Sequence, residues 1–419
     1  MSGNGNVCGR CVVVKFGGSS LADGTKISKA AMVVAKEAIK GTRIVVIVSA
    51  IGNTTDFLID ITKQASNNGT VSDKDVDDVL AMGERTSARI FSAALKANNV
   101  KCHYFDPADP DWPIITDNKP TNANPTLTLC EKRLRKYVLR VLKRRRVAVI
   151  PGFIGKTQDG AITTMGRGGS DATALIVARA LGAKQVVLVS DVDGIMTADP
   201  KIIKSAKKLD EIDINALIGI ADSGTKFIHK KALKYKDPKI DIIVVNHRFC
   251  DLNAEGTTIR GALPKELTVD IAYPEPVMSI TIIGNAISES PQILHEIIQQ
   301  LKDAAIPILG MSTNYDSIIL YLPESLAEKI LEPLHLVVIN NAQTLTMAVM
   351  KNIAFIKVKG VGLEETPGII RKISQALYSK NINIFGIFTI TSSVQVFVDM
   401  NDVEKALTAI RSALKVNPK

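Results

Sequence analysis

Three short segments rich in glycine carry residues whose types suit phosphate and carboxylate chemistry. They read KFGGSS at 15–20, TMGRGGSDATA at 164–174 and SDVDGIMTADPK at 190–201. Paired glycines let backbone N–H groups surround an anion, and a neighbouring lysine can neutralise a phosphoryl group during its transfer. In the first segment the lysine precedes the glycines, so the segment is not a Walker A loop.

The second and third segments add groups that could hold a further ligand. Arg167 can bind a carboxylate in bidentate fashion, and Asp171 follows it in the same segment. The third segment follows the apolar run at 185–190, and open α/β sheets bind ligands at the carboxyl ends of such strands. A polar connecting loop accounts for any one of these segments. The three together predict a site for phosphate and carboxylate groups.

The elements that must position these segments alternate along the first part of the chain, from residue 11 to about residue 271. The predicted strands are 11–16, 44–50, 100–105, 147–150, 185–190 and 240–245. The predicted helices include 25–40, 73–98, 124–146 and 170–182. Apolar, β-branched strands between helices predict an α/β fold with a mostly parallel sheet sandwiched by helices.

The tail of the chain contains an internal repeat. At an offset of 76 residues it matches itself in three places: 316–322 with 392–398, 306–308 with 382–384, and Pro291 with Pro367. Each copy is predicted to run strand, helix, strand, strand, helix, and the stretch YPEP at 273–276 predicts a hinge before the first copy. The expected domains are 1–272, 277–345 and 346–419.

Composition narrows the class of protein. Of the 419 residues 46% are hydrophobic and 22% are charged, which is the balance of a protein with a large core and excludes bulk disorder. No apolar run approaches the roughly 20 residues that a membrane span requires. Five cysteines are too few for a disulfide framework in a chain of this length. We therefore expect a cytoplasmic protein without a membrane partner.

The net charge of +10 is concentrated in one segment. Residues 131–146 (EKRLRKYVLRVLKRRR) hold nine lysines and arginines against one glutamate, which is +8 of the total. Apolar residues recur there at helical spacing, so the segment predicts an amphipathic helix with a solvated basic face. Contact with nucleic acid is the alternative, but the segment lacks interleaved aromatic residues and a binding motif. No nucleic-acid partner is expected.

The motifs closely resemble those of the amino-acid kinase family, and within it those of the aspartate kinases. The resemblance extends from about residue 12 to about residue 414 and follows the family order. The shared motifs are KFGGSS, SAIGNTT (49–55), MGER (82–85), GFIG (152–155), GRGGSD (166–171), SDVDGIMTADP and GTKFIH (224–229). GRGGSD is the discriminating motif, because other branches of the family share only the first loop. The tail resembles a pair of α+β, ferredoxin-like ACT modules.

The resemblance implies a function for each matched position. The residues expected to be catalytic are Lys15, Arg167 and Asp171. Those expected to bind aspartate are Ser49, Thr55, Glu84, Arg167 and Ser170. Those expected to bind ATP are Lys15, Gly17, Gly18, Ser190, Asp191, Met196, Lys201 and Lys226. No side chain is expected to be a dedicated metal ligand, and many relatives have Thr, Tyr and Arg in place of Ser190, Met196 and Lys201.

The implied reaction transfers the γ-phosphoryl group of ATP, with Mg²⁺, to the β-carboxylate of L-aspartate. A carboxylate whose unperturbed pKa is about 3.9 is already ionised at neutral pH, so no general base is required. Two alternatives are another kinase of the family that acts on a different carboxylate, and a catalytically silent sensor of amino acids. The presence of both Lys15 and Asp171 argues against the silent sensor.

The tail implies partners and regulation. By resemblance we expect a homodimer or homotetramer and an effector, threonine or lysine, bound to the ACT modules. The candidate effector segments are 285–292 with 312–316 in the first copy, and 363–369 in the second copy. The second copy keeps a Pro-Gly pair at its turn, whereas the first has Pro291-Gln292, so which copy binds the effector stays open. The alternative is that both copies serve dimerisation alone.

Overall fold

The chain folds as two units that divide between residues 263 and 264. The computed structural model describes residues 11–67, 69–200, 202–222, 228–261, 263, 267–360, 363, 367–390 and 393–416. Each unit is built around its own principal β-sheet. No helix within these residues combines the length and the apolar character needed to cross a membrane.

The first unit alternates strands and helices. Its strands are β1 (Cys11–Phe16), β2 (Arg43–Val48), β3 (Cys102–Tyr104), β4 (Val147–Pro151), β5 (Ile154–Lys156), β6 (Ile162–Thr164), β7 (Gln185–Ser190), β8 (Glu211–Asp213), β9 (Asp241–Asn246) and β10 (Thr257–Arg260). Its helices are α1 (Gly24–Ile39), α2 (Thr54–Ala65), α3 (Asp73–Ala97), α4 (Leu127–Arg133), α5 (Leu139–Lys143), α6 (Gly169–Leu181), α7 (Ile214–Asp222) and α8 (Lys230–Leu233).

The main sheet has eight strands in the order β3-β4-β2-β1-β7-β9-β10-β8. The strands from β3 to β9 are parallel, and β10 runs antiparallel to β9. These six parallel strands lie at nearly the positions predicted from their apolar runs, and they confirm the α/β fold. The central strands are buried almost continuously because helices cover both faces of the sheet. β1 and β2 lie side by side, so their carboxyl ends meet at one edge.

The basic segment forms a helix with an unusual middle turn. A π-helical turn, Leu134–Val138, joins α4 to α5. Leu139 is buried, and the four other buried residues of this helix recur at every fourth position: Cys130, Leu134, Val138 and Leu142. A regular helix has 3.6 residues per turn, so this spacing would drift around its surface, and one wider turn keeps the four residues facing the core. The cationic side chains that follow, 143–146, are exposed.

Within its described residues, the second unit contains seven strands and four helices longer than one turn. The strands are β11 (Thr268–Ile271), β12 (Val277–Gly284), β13 (Gly310–Thr313), β14 (Ser317–Pro323), β15 (Thr344–Lys359), β16 (Gly386–Ile390) and β17 (Ser393–Asp399). The helices are α9 (Pro291–Asp303), α10 (Ala327–Asn340), α11 (Ile369–Tyr378) and α12 (Val403–Leu414). The offset of 76 residues relates β13 to β16, β14 to β17 and α10 to α12, so the internal repeat is a structural repeat.

The two repeats exchange their first strands. β15 is long because its first half, the first strand of the second repeat, pairs with β12 of the first repeat, while its second half, which is equivalent to β12 at the offset of 76, pairs with β17. β11 lies 76 residues before the start of β15, and it pairs with the second half of β15. Each repeat therefore completes its four-stranded, ferredoxin-like sheet with a strand that belongs in sequence to the other.

This exchange bears on the expected boundaries of the domains. β11 lies within the range expected for the first domain, 1–272, yet it pairs in the sheet of the second unit. The ranges 277–345 and 346–419 likewise divide β15 near its start. Self-alignment detects which segments are equivalent, but the pairing partner of a strand is decided by tertiary packing. The domain ranges stay a prediction.

An aromatic stack joins the two repeats of the tail. The rings of Tyr321 and Phe397, which are equivalent at the offset of 76, stack with centroids 3.9 Å apart. Phe355 stacks on the other side of Phe397 with its centroid at 4.7 Å. Tyr321 and Phe397 are both buried, and the Tyr321 hydroxyl donates to the carbonyl of Phe385 at 3.1 Å. The two repeats thus share one apolar junction besides their exchanged strands.

The exchange predicts which half of the tail depends on β11. Val269 is 1% exposed and packs in the core of the second repeat, whereas Ile271 of the same strand is 39% exposed. Val269→Ala should cost about 2 kcal/mol and should speed amide hydrogen exchange in 353–359 and 393–398. Exchange in β12 and β14 should change little, and Ile271→Ala is the matched control. Faster amide hydrogen exchange confined to the first repeat would contradict the assignment of β11 to the sheet of the second repeat.

Candidate active site

A cavity of about 560 Å³ opens where β1 and β2 end and α6 begins. Its lining includes residues of the segments 15–20 and 164–174, which the sequence predicts to bind phosphate and carboxylate groups. The predicted residues among them are Lys15, Gly18, Ser49, Thr55, Glu84, Arg167, Ser170 and Asp171. The volume suits a small ligand with part of a second, because small-molecule sites span roughly 300–1,000 Å³. Seven of these eight residues have polar or charged side chains: two are cationic, two are carboxylates and three carry a hydroxyl group.

The loops after β1 and β2 pack directly on each other. The N–H of Ser49 donates to the carbonyl of Phe16 at 3.1 Å, and the N–H of Gly52 donates to the carbonyl of Gly18 at 3.2 Å. A Cβ on Gly18 would lie 2.9 Å from the carbonyl oxygen of Gly52, so this contact requires glycine. Gly17 lies in the same loop, but its N–H already donates to Val189 at 3.2 Å. The motif KFGGSS is therefore a close-packed junction as well as a candidate anion site.

Lys15 and Asp171 form an ion pair at the base of the cavity. The ammonium of Lys15 lies 2.8 Å from Oδ1 of Asp171, and both side chains are largely buried. Asp171 stands in the first turn of α6, whose preceding residue, Gly168, has a φ of +76°. A Cβ on Gly168 would clash with the side chain of His229, so glycine is required by conformation and by space. The pair holds a positive charge beside the amino-terminal end of a helix, where an anion is favoured.

Glu84 places a buried negative charge in the same cavity. This residue of α3 is 4% exposed, and its Oε1 accepts the N–H of Ala50 at 3.1 Å. Its Oε2 has no hydrogen-bond partner among the described residues. Burial raises the pKa of Glu84 to about 7, although the bond from Ala50 acts in the opposite direction. A buried carboxylate oxygen without a donor is suited to a cationic group of a ligand.

Arg167 provides the positive charge at the open side of the cavity. Its side chain is exposed and makes no hydrogen bond or ion pair with any described residue. Ser49, Thr55 and Ser170 are half-buried around it and add hydroxyl groups. The cavity therefore presents an unpaired carboxylate oxygen, a free guanidinium and a lysine, which together match a ligand with one ammonium and two carboxylates.

The residues predicted to bind the nucleotide lie at the end of the neighbouring strand β7. The hydroxyl of Ser190 donates to Asp191 at 3.1 Å, and the ring of His247 contacts the carbonyl of Ser190 at 2.9 Å. Met196 is half-buried and forms an isolated bridge with Lys208. These three predicted residues do not line the cavity. Two further predicted nucleotide residues, Lys201 and Lys226, lie outside the described residues.

Sequence reasoning missed several residues of the cavity wall. The most informative are Thr121 and Thr164, which line it, and Asp77, which bonds to both. Asp77 lies two helical turns before Glu84 on α3, so a carboxylate pair at a spacing of seven was visible in the sequence. Thr121 sits in a segment without regular structure, and nothing in its sequence indicates that it lies in a site.

Comparisons with known proteins identify the family of each part of the chain. Residues 10–246 match the amino acid kinase family, and residues 349–412 match the ACT domain. The aspartokinase of Thermus thermophilus is 31% identical, with an alignment covering 97% of this chain and 99% of the relative. The aspartokinase of Rickettsia felis is 27% identical, over 97% of this chain and 99% of that protein.

Solved structures share the fold. The aspartate kinase of Synechocystis superposes with a TM-score of 0.78 at 24% identity, covering 97% of this chain and 70% of that one. Aspartokinase III of E. coli, in complex with aspartate and ADP, superposes with a TM-score of 0.54 at 23% identity, over 97% of this chain and 100% of that one. Because the first match spans more than half of the sequence and a relative above 30% identity spans nearly all of it, the protein belongs to the amino acid kinase family, among the aspartokinases.

Proposed function

We propose that the protein transfers the γ-phosphoryl group of ATP to the β-carboxylate of L-aspartate. The products are ADP and 4-phospho-L-aspartate, and the reaction is the first step of lysine, threonine and methionine biosynthesis. The observation that carries the proposal is Glu84, whose buried Oε2 has no partner among the described residues and lies in a cavity with two cationic side chains. An amino acid with a second carboxylate complements that arrangement of charge.

In the proposed complex the substrate is held by its charged groups. Glu84 binds the ammonium, and Arg167 binds a carboxylate with the hydroxyl groups of Ser49, Thr55 and Ser170 nearby. The carboxylate that reacts is then directed towards Lys15. Because a carboxylate is ionised at neutral pH, the protein has to align the two reactants and neutralise their charge, and it has no proton to remove.

Lys15 has the position for neutralising charge during the transfer. Its ammonium is fixed by Asp171 at 2.8 Å, so it is already oriented before the phosphoryl group arrives. The amino-terminal end of α6 adds its dipole on the same side. Preorganised positive charge of this kind acts most strongly where negative charge spreads over the transferred oxygens.

Mg²⁺ enters this scheme with the nucleotide as part of the substrate. Among the described residues, no three His, Cys, Asp or Glu side chains are grouped so that they could hold a metal ion. Near the predicted nucleotide segment, the carboxylate of Asp193 is engaged by Asn246 and Arg248. Mg²⁺ commonly binds phosphate oxygens and retains several waters, which fits a site with few protein ligands. Asp191, whose side chain is exposed, is the candidate to approach the ion.

Two alternatives have to be separated from this proposal. One is a kinase of the same family that acts on a different carboxylate, since Glu84 and Arg167 would bind any amino acid. The other is a sensor without activity, but the ion pair of Lys15 and Asp171 is a feature that a sensor would not need. Trapping of the acyl phosphate decides between them.

An assay with hydroxylamine tests the reaction directly. With ATP, Mg²⁺ and L-aspartate, the protein should produce a hydroxamate, whereas glutamate and N-acetylated aspartate should give little. Lys15→Met should lower kcat at least about thirtyfold, because removing a buried charged partner costs about 2–5 kcal/mol. Lys29→Met, on the exposed face of α1, is the matched control. Folded protein that forms no hydroxamate with aspartate would rule out the proposed reaction.

The pKa of Glu84 predicts opposite effects of pH on binding and stability. Burial raises this pKa to about 7 from the ordinary value of 4.5. The folded protein therefore holds a proton between these values that the unfolded chain releases, and the stability contribution of Glu84 falls as pH rises through that range. Aspartate binding needs the carboxylate, so kcat/KM for aspartate should fall on the acid side of about pH 7.

Glu84→Gln separates the two effects. The change in Tm relative to the unmodified protein should be more favourable at about pH 8 than at about pH 5, because only the carboxylate is penalised by burial. The same variant should lose most of its affinity for aspartate and the acid limb of its pH profile. Glu131→Gln, at an exposed position of α4, is the control. A Tm difference independent of pH would show that Glu84 titrates normally.

For the tail we propose an effector site and a homodimer or homotetramer. A solved structure of E. coli aspartokinase III contains lysine and aspartate, so lysine and threonine are the first candidates for this protein. In the first repeat the turn 285–292 contacts Asp316, whose carboxylate Oδ1 accepts the N–H of Ala286 at 3.4 Å. Gln292 is engaged by Glu296 at 3.1 Å. Part of the corresponding segment of the second repeat, 363–369, lies outside the described residues.

Calorimetry tests the regulation. Lysine or threonine at millimolar concentration should bind and should weaken aspartate binding by the same factor by which aspartate weakens effector binding. Gln292→Ala is the variant that tests the first repeat, and Gln375→Ala, at an exposed position of α11 outside the candidate effector segments, is the control. Absence of heat and of inhibition with both amino acids would leave the tail with a role in assembly alone.

A further inference from the structure

Asp77 is a buried carboxylate without a cationic partner among the described residues. It is 0% exposed, and it accepts three hydrogen bonds, from the backbone of Thr121 and the hydroxyl of Thr164. Removing a charge from water is costly unless the charge is compensated, and burial raises the pKa of Asp77 accordingly. Leucine or asparagine would fill the same place in a helix without this cost. The function of the carboxylate therefore lies in the groups that donate hydrogen bonds to its two oxygens.

The first group that Asp77 holds is a strained backbone. Thr121 has a φ of +61°, a conformation that is strongly disfavoured for a β-branched residue. Its N–H points at the carboxylate and lies 3.0 Å from each oxygen of Asp77. A strained backbone conformation persists only when surrounding contacts hold it in place. Here the two oxygens of Asp77, at equal distances, hold the N–H of Thr121.

The second group is the strand that leads into the motif GRGGSD. Thr164 ends β6, and its hydroxyl donates to Oδ1 of Asp77 at 2.6 Å. The carbonyl of Thr164 in turn accepts the N–H of Ala123 at 2.9 Å. Arg167 follows three residues later. One carboxylate thus ties α3, the turn 119–124 and the approach to Arg167 together.

Lys231 makes further hydrogen bonds to the same wall of the cavity. The ammonium of Lys231 donates to the carbonyl of Met165 at 2.7 Å and to the side chain of Asn122. Thr121 and Thr164 both line the cavity that contains Glu84. This wall is therefore fixed by contacts at both Thr121 and Asn122, and the contact at Thr121 depends on Asp77.

We propose that Asp77 is a positioning residue that sets the wall of the substrate cavity formed by Thr121 and Thr164, and through it the approach of Arg167 to the substrate carboxylate. The proposal rests on the proposed function for its kinetic consequence, because the substrate held by this wall is the carboxylate acceptor. Asp77 itself contacts neither reactant. Its effect should fall on the acceptor and spare the nucleotide, whose predicted residues lie at the end of β7.

Asp77→Asn tests the proposal with little change of shape. An amide keeps one acceptor oxygen and replaces the other by an NH₂ donor, which would face the N–H of Thr121 and remove one of its two bonds. We expect KM for aspartate to rise at least tenfold, with KM for ATP changed less than twofold. Exchange of the amide hydrogen of Thr121 should accelerate in the protein without substrates. Asp78→Asn is the matched control, because Asp78 is the next residue of α3 and is exposed.

Thr164→Val supplies a second variant in case Asp77→Asn does not fold. It removes the hydroxyl donor, preserves the shape of the side chain and should raise KM for aspartate in the same direction. An unchanged exchange rate at Thr121 in Asp77→Asn would overturn the proposal whatever the enzyme phosphorylates. So would equal increases of KM for aspartate and ATP in both variants. If the unmodified protein forms no aspartyl phosphate, the proposed function fails, while the exchange experiment still decides the role of Asp77.

Discussion

Two anions have to meet in one cavity, and their mutual repulsion is the constraint that explains the arrangement of the first unit. A phosphate chain and a substrate with two carboxylates would repel each other strongly in a site of low dielectric. Lys15, Arg167 and the start of α6 bring positive charge to that place from three different elements. Parallel strands are what make this possible, since they bring the loops that follow them to one edge of the sheet. The glycine at position 18 then lets two of those loops touch.

Glu84 and Asp77 show how one helix gives two carboxylates different uses. Both are buried and both have a raised pKa because burial disfavours the charged form. Asp77 has two donors around it, the N–H of Thr121, which is shared between both oxygens, and the hydroxyl of Thr164, so its charge stabilises the surrounding structure. Glu84 has one donor, from Ala50, and keeps an oxygen without a partner among the described residues. Glu84, with one oxygen unpaired, is therefore suited to binding a ligand. Asp77, with both oxygens hydrogen-bonded, is suited to stabilising the structure.

The parallel strands and the main helices could be predicted from the sequence, because burial on both faces leaves a run of β-branched residues that local patterns reveal. The candidate cavity could be predicted as far as its motifs extend: eight of the proposed residues line it. The contacts of Asp77 with Thr121 and Thr164 could not be predicted in this way, because they join segments separated by 44 and 87 positions. The π-helical turn of the basic helix was also not predicted. Four of its buried residues recur at intervals of four, and a regular helix cannot keep that spacing on one face.

The exchange of β11 and the first half of β15 means that a single repeat is an incomplete fold. Cut from its neighbour, a repeat would retain a leading strand with nothing to pair with and a sheet that lacks its fourth strand. Two separate copies of one repeat could satisfy each other by trading those strands, as in a domain-swapped dimer. The tail is then the covalently joined form of such a dimer, with the stacked rings of Tyr321 and Phe397 where its symmetry axis would pass. Duplication of a gene for a swapped dimer, followed by fusion of the two copies, yields this topology without any new pairing between strands.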